Sequence, residues 1–572
     1  MGILQTWAEK IMEALRKVEA DVLPEATINY DYTRLESIAM ADHVPVDHLP
    51  TLEWWKQLAT SIETIVRNTV DADEPPALAH MIAEFEGSLG GPFPRAWDRA
   101  RDMADLPGVI TSILEARGAS NERPTSLQDY DKLFQAIQKP AGALRPIEDD
   151  KDFARMVVAG PNPMMITRVS EEFVLHQDQN DDGLRSSLQK MAQKNRLYVS
   201  DYSSLEQLPA STYPNAKKYI GAPIAYFTIE NGSLLPVAIT VQRHFVMTFT
   251  PDDRDGWKAA KAAVVAADMT MHEVVSHLTM THLFIEPFVI ATERRLPVGH
   301  PVYRLLKPHF EGTLFINDLA AKVLVAPGGA VDQIVALTID ATRAVVASAL
   351  AERPFTAFIP ENDFTRRGVE DAASFPDYPY RDDARLLWDT IKRWTTNYVE
   401  SSYADDAAVA SDAAIQAWAT EIGSDSGGRV FSFGSTILYR DTLATVLATI
   451  IFTASAQHAA VNFPQAEMVD ITNFPLAIYA SPYIGAADGV LSMLPPLDQA
   501  LRQVSLGHLL SSVRLAQLGD YEEGWLPSSA ADALDIFHAD ISGAEHIIQE
   551  RNTTRRPYSY LLPSNIPRSI NI

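Results

Sequence analysis

The apolar positions of this chain change period twice along its length. From residue 1 to about 120 they recur at helical spacing. Ile3, Leu4, Trp7, Ile11, Met12, Leu15 and Val18 share one side of an N-terminal helix. TLEWWKQLATSIETIVRN (51–68) and AHMIAEF (79–85) continue the pattern between breaks at DADEPP and GGPFP. Between about 195 and 250 the period shortens. RLYVSDY, APIAYFTIE, PVAITVQ and HFVMTFT are rich in Val, Ile, Tyr, Phe and Thr, with turn residues at ENGS and TPDD, and predict a small antiparallel sheet. From Trp257 onward the spacing is mostly helical again. The pattern predicts a mainly α protein with a minor sheet, in which residues 1–120 form a helical N-terminal region distinct from 121–572.

One apolar stretch raises the question of a membrane. TLATVLATIIFTASAQHAAVNFPQA (442–466) carries no formal charge and is long enough to cross a bilayer. Gln457, His458 and Asn462 would be costly against lipid and Pro464 ends the helix, so a buried central helix of a large soluble domain is expected. The N-terminal stretch lacks the continuous apolar run and small-residue cleavage site of a secretion signal, and a cytoplasmic location is expected. Its apolar face packs on its own domain or makes weak contact with a membrane surface.

Composition narrows the field further. With 47% apolar and 21% charged residues, the 572-residue chain has material for a large core. A formal charge of -26 repels phosphate backbones and argues against nucleic acid as a partner. The absence of cysteine removes disulfides, thiolate metal sites and cysteine nucleophiles.

The candidate chemistry lies in HEVVSHLTMTH (272–282), three histidines at intervals of five. The HExxH zinc motif needs ligands at i and i+4, which this stretch does not offer. On an ideal helix residues five apart point about 140° away from each other. A π-type turn, with i to i+5 hydrogen bonds, brings such a pair onto one face. Pro287, just beyond, already disturbs the regular ladder. A π-type turn between Val275 and His282 is therefore predicted, and spacing alone leaves the pairs His272/His277 and His277/His282 both open. His458 and Asn462, four residues apart on one helix face, are two further buried polar groups in need of partners.

The segment 257–317, from WKAAKAAVVAADMTMHEVVSHLTMTH to FEGTLFIN, closely resembles the lipoxygenase signature. The resemblance continues through FARMVVAGPNPMMI, FIPENDFTRRGV, DYPYRDDARLLWDTIKRW, QHAAVNFPQ and YSYLLPSNIPRSINI, covering roughly residues 125 to 572. It implies a large helical catalytic domain whose long central helices carry a non-haem iron, ferrous at rest and ferric when active. The implied ligands are His277, His282, His458, Asn462 and the carboxylate of the C-terminal isoleucine, Ile572, with His272 beside the iron but not bound to it. The tail is apolar and stiffened by Pro557, Pro563 and Pro567, so docking into the core is expected rather than fraying.

The implied reaction is dioxygenation of polyunsaturated fatty acids, such as linoleate and arachidonate, at a cis,cis-1,4-pentadiene. Ferric hydroxide takes a hydrogen atom from the bis-allylic carbon and dioxygen adds to the radical, giving a hydroperoxide. The ligand charges suit this step. With neutral histidines, a neutral Asn and one carboxylate, ferric hydroxide and ferrous water both leave the centre at net +1, and no charge change is imposed on a buried apolar site.

By the same resemblance Gln465 and Glu273 link the ligands to the substrate cavity, although Glu273 would equally suit a surface pair. Leu324 and Leu509 match residues that pack over the pentadiene, Ala320 matches the position that directs products to the S configuration, and Ile334, Val335 and Met269 match residues that set pocket depth. Arg294 and Arg295 read as structural or solvated. The chain departs from plant and animal lipoxygenases at its start, where a helical pattern stands in place of an N-terminal β-barrel. It is closer to the compact bacterial type, with residues 1–120 a lid or cover over the channel entrance. Two other readings keep the fold: a hydroperoxide isomerase, and a non-catalytic lipid-binding protein with a structural metal.

Overall fold

A computed structural model describes residues 27–69, 122–140, 144–176, 181–243, 245–481 and 489–572. Two buried helices organise it. The first, Asp255–Arg295, is introduced by TPDD, where Thr250 and Asp253 form a reciprocal cap, and its most apolar stretch is almost entirely enclosed by protein. Apolar residues all round, with AAKAAVVAA giving strong helix propensity, make it a core helix rather than an amphipathic one. The second, Arg440–Ala466, is equally enclosed, as its buried Gln, His and Asn require.

Around these, in chain order, lie β1 (Tyr30–Asp31), β2 (Met40–Ala41), α1 (Leu52–Thr69) and α2 (Asp150–Ala159). They are followed by strands β3 (Thr167–Arg168), β4 (Leu197–Asp201), β5 (Pro223–Glu230), β6 (Ser233–Arg243) and β7 (Phe245–Phe249). We label the first central helix α3; α4 (Thr313–Leu319) and α5 (Ala330–Ile334) come next, then α6 (Pro379–Ser402). The second central helix is α7, followed by α8 (Leu497–Leu510) and α9 (Ala531–Thr554).

The sheet is antiparallel in the order β3-β4-β5-β6-β7, so its four longer strands are those the sequence predicts and the two-residue β3 is added at its edge. Its two faces follow strand alternation. Tyr198, Ala225, Phe227 and Ile239 join the main core, where Phe153 of α2 stacks on Phe227 at 5.6 Å, while Leu197, Val199, Ile224 and Tyr226 close a smaller cluster with Val174 and Leu188.

The N-terminal region departs from a purely helical reading. The helix predicted at 51–68 forms as α1, but β1 and β2 pair ahead of it. The amphipathic start and AHMIAEF lie outside the described residues. Arg294 and Arg295 both pair with Glu421, so they are structural.

α3 changes pitch where the sequence predicts it. Asp255–Met271 is α-helical, His272–Leu283 is π-helical, and Phe284–Arg295 is α-helical again. Thr279 Oγ1 donates to Val274 O at 2.6 Å and Thr281 Oγ1 to His277 O at 2.5 Å, so side chains share the carbonyls of the widened turns. Pro287 has no N–H to give back, and the Asn317 amide of α4 donates instead to the His282 carbonyl at 3.0 Å. α7 also contains a π turn, Thr453–Gln457, which no spacing signals; the segment His458–Asn462 that follows is ordinary α-helix.

The C-terminal tail docks. Ile566, Ile570, Asn571 and Ile572 are buried. His309 Nδ1 donates to Arg568 O at 2.7 Å, and Thr313 Oγ1 to Ile570 O at 3.2 Å. Gly312, at φ 78°, lets the chain pass so closely that a Cβ there would lie 3.2 Å from the Asn571 Cβ. Gly312→Ala therefore combines left-handed strain, on the order of 1–2 kcal/mol, with displacement of the tail. The expected outcome is a lower thermal midpoint and faster amide exchange in the last five residues; unchanged exchange would show that the tail does not depend on this passage.

Candidate metal centre and cavity

The π turn of α3 and the end of α7 bring three imidazoles together. His277 Nε2 lies 3.2 Å from His282 Nε2 and 3.4 Å from His458 Nε2, and the last two are 3.2 Å apart. All three rings are buried. His282 Nδ1 donates to Asn317 Oδ1 at 2.9 Å, which leaves Nε2 as a bare lone pair facing the other two nitrogens. With His282 Nε2 a bare acceptor, hydrogen bonds between neutral rings cannot serve all three contacts at once, whereas a cation would join all three nitrogens. An ion at the usual imidazole distance of about 2 Å fits just off the plane of this triangle. Imidazole with oxygen donors nearby and no thiolate suits non-haem iron.

Protonation does not offer an alternative to the cation. Burial and then the neighbouring His277 push His282 down to about 3, and burial with the same neighbours holds His458 well below the ordinary histidine value. His277 is also lowered, chiefly by burial.

The groups around the triangle hold it in place. Asn317 Nδ2 donates to Glu286 Oε2 at 2.8 Å, and Glu286 Oε1 accepts from the Ala41 backbone N–H of β2 at 2.7 Å. A chain of hydrogen bonds thus runs from His282 to the N-terminal segment. Burial raises Glu286 to about 7. Sequence reasoning missed Asn317 and Glu286; the signals available were an acid beside Pro287 in a buried helix and a polar pair inside the apolar LFINDLA.

Gln465 Nε2 lies 2.9 Å from Asn462 Oδ1 and 3.5 Å from His277 Nδ1, so it spans two of the predicted ligands, although it is not part of the cavity lining. Asn462 Nδ2 and Gln465 Oε1 have no hydrogen-bond partner among the described residues. Exchanging oxygen and nitrogen in both amides keeps their mutual bond and gives Asn462 an oxygen on its unpaired side, which suits an oxygen donor to a metal.

His272 stacks on His277 at 5.8 Å but turns Nε2 to the Val461 carbonyl at 2.7 Å, outside the triangle. Glu273 is not a surface pair. It is buried, with Oε1 3.5 Å from His272 Nδ1 and Oε2 3.9 Å from His277 Nδ1. Burial raises its carboxyl, but the two histidines outweigh that and hold it at about 2. At those distances neither contact is a close, direct hydrogen bond. A second acid and histidine group, Asp47, His48 and Glu293, already surrounds a cation: Lys307 Nζ is 2.8 Å from Glu293 Oε1 and 2.9 Å from His48 Nε2.

His277 and His282 face an apolar cavity, partly open to solvent, whose charged or imidazole lining is these two residues and Glu273. Ala320, Leu324, Leu509 and Ile572 form part of its wall. Ile334, Val335 and Met269 do not. The one-turn α5 presents Val331 to the cavity; the chain then leaves the helix in an extended conformation at Val335, whose carbonyl is held by the buried Lys218 ammonium at 2.8 Å. Ile334, Val335 and Met269 are buried in the surrounding core. Positions carried over by sequence offset miss this short helix and the turn that follows it.

A helical protein with a buried three-histidine cluster at the wall of an apolar cavity has the parts of a non-haem metal site beside an apolar ligand. The lipoxygenase family model matches residues 134–474. The linoleate 9/13-lipoxygenase of Pseudomonas aeruginosa is 34% identical over 95% of this chain and 88% of its own length. Human polyunsaturated fatty acid lipoxygenase ALOX12 is 31% identical over 78% of this chain and 70% of its own. The crystal structure of coral 8R-lipoxygenase superposes with a TM-score of 0.76 at 25% identity, covering 100% of this chain and 82% of that one. The chain belongs to the lipoxygenase family, and it is an oxidoreductase.

Two outcomes follow. Asn317→Leu removes the acceptor that fixes the His282 tautomer, and iron affinity falls by about 10- to 100-fold; an unchanged dissociation constant would detach Asn317 from the centre. A histidine whose folded pKa is depressed stays neutral as pH falls through 6.5, so iron occupancy after dialysis is expected to be equal at pH 8 and pH 6. Progressive loss centred near 6.5 would contradict the buried, neutral triad.

Proposed function

We propose that the protein is a lipoxygenase acting on free or esterified polyunsaturated fatty acids that contain a cis,cis-1,4-pentadiene, such as linoleate and arachidonate, with dioxygen as co-substrate. The observation that carries this is the triangle of Nε2 atoms at the wall of an apolar cavity. His277, His282 and His458 hold iron, with the Asn462 side-chain oxygen and the terminal carboxylate of Ile572 completing the set. Iron bound there, ferrous at rest and ferric when active, supplies one-electron removal of a bis-allylic hydrogen.

The chain's own residues do the rest. Leu324 and Leu509 press the pentadiene against the metal side of the cavity, and the apolar wall excludes water from a carbon radical. Glu273 stays ionised and orients His277, while Gln465 ties His277 to Asn462. The Ala320 methyl projects at the cavity wall and shields one oxygen-entry position, favouring S hydroperoxides.

The test is oxygen uptake by purified, iron-assayed protein on linoleate and arachidonate, with conjugated-diene absorbance and chiral product analysis. Oxygen consumption matched by diene formation is expected. Hydroperoxide consumed without oxygen uptake would instead assign an isomerase, and iron without turnover of either substrate would assign a lipid carrier. His458→Ala is expected to abolish both iron and diene formation; a persisting diene rate would point to a contaminant. Ala320→Gly is expected to shift the product toward R by several-fold, and an unchanged S fraction would remove Ala320 from stereocontrol.

A further inference from the structure

The N-terminal segment reads in sequence as a cover, yet α1 reaches the end of the chain. Trp54 is buried, sets its ring edge-on against Phe315 at 5.4 Å, and lines the cavity beside His277, His282 and Ile572. Its indole Nε1–H donates to the main-chain carbonyl of Asn571, the residue before Ile572. The Asn571 side-chain amide nitrogen has no hydrogen-bond partner among the described residues, so it is the main chain that is gripped here.

This placement has a mechanical consequence. The anchors at Arg568 and Ile570 come from His309 and Thr313, upstream of the last peptide unit. A terminal residue has one peptide bond to define its position and otherwise frays. Because that unit is planar, holding the Asn571 oxygen also fixes the direction in which Ile572 leaves it. We propose that Trp54 is a positioning residue for the terminal carboxylate of Ile572, so that α1 completes the metal centre as well as walling its cavity. This rests on reading Ile572 as a ligand.

The experiment uses the full-length protein. Trp54→Phe keeps a ring against Phe315 and removes the N–H; Phe315→Leu keeps the N–H and removes the ring contact. Iron release to a strong chelator at neutral pH is compared with amide exchange of the C-terminal peptide in metal-free protein. Trp54→Phe is expected to release iron about ten-fold faster, since a buried carbonyl loses its donor, and to exchange faster in the tail even without metal; Phe315→Leu matches wild type in both. Tail exchange in Trp54→Phe equal to wild type, or an equal effect from Phe315→Leu, overturns the proposal. Faster tail exchange with unchanged iron release overturns it too, since Trp54 would then hold the tail without serving the centre.

A second measurement needs no change at Trp54. In protein labelled with ¹⁵N-tryptophan, removal of Asn571 and Ile572 is expected to shift one indole resonance, and no shift overturns the contact. Wild-type protein without iron would fail the metal reading itself, while the tail exchange and the indole shift still decide what Trp54 holds.

Discussion

Three imidazole nitrogens within 3.4 Å of one another, enclosed by apolar side chains, form an arrangement whose contacts neutral histidines cannot all satisfy among themselves. His282 Nε2 can only accept, so hydrogen bonds between neutral rings cannot serve all three contacts, and burial disfavours protonated rings. A cation resolves both problems. The surrounding structure is organised to hold the rings at that spacing, and the reactivity expected of the site follows from a metal placed at the edge of a water-poor cavity.

The fold reaches the centre from several directions. α3 widens to π pitch so that His277 and His282 share a face, and α7 brings His458 across from the opposite helix. β2 is coupled through Glu286 and Asn317 to His282, and α1 through Trp54 to the peptide before Ile572. Segments from early and late in the described residues thus converge on the three-histidine cluster and the cavity beside it.

Much of this was legible in the sequence because period and chemistry agreed. The five-residue histidine spacing, incompatible with an α-helix, predicted the π segment, and the four longer strands of the sheet were visible as β-branched runs between turns. The charge-free stretch ending in Pro464 announced a buried helix by its Gln, His and Asn. Other features left no such trace. The π turn at Thr453–Gln457 carries no paired histidines whose spacing would signal it, and β1 and β2 are two residues each, too short for any periodicity. Asn317 and Glu286 act through contacts 31 to 35 residues apart, which spacing on one helix cannot reveal. Ile334 and Val335 are buried outside the cavity lining because a short helix and its extended exit decide which side chain meets the cavity, and Met269 is buried in the core on α3.

The most direct measurement is anomalous X-ray diffraction from crystals of the protein, collected on either side of the iron absorption edge. One strong peak is expected that disappears below the edge and lies about 2 Å from the Nε2 atoms of His277, His282 and His458. A peak that persists below the iron edge and follows the zinc edge, or the absence of any peak among the three rings, would contradict this expectation.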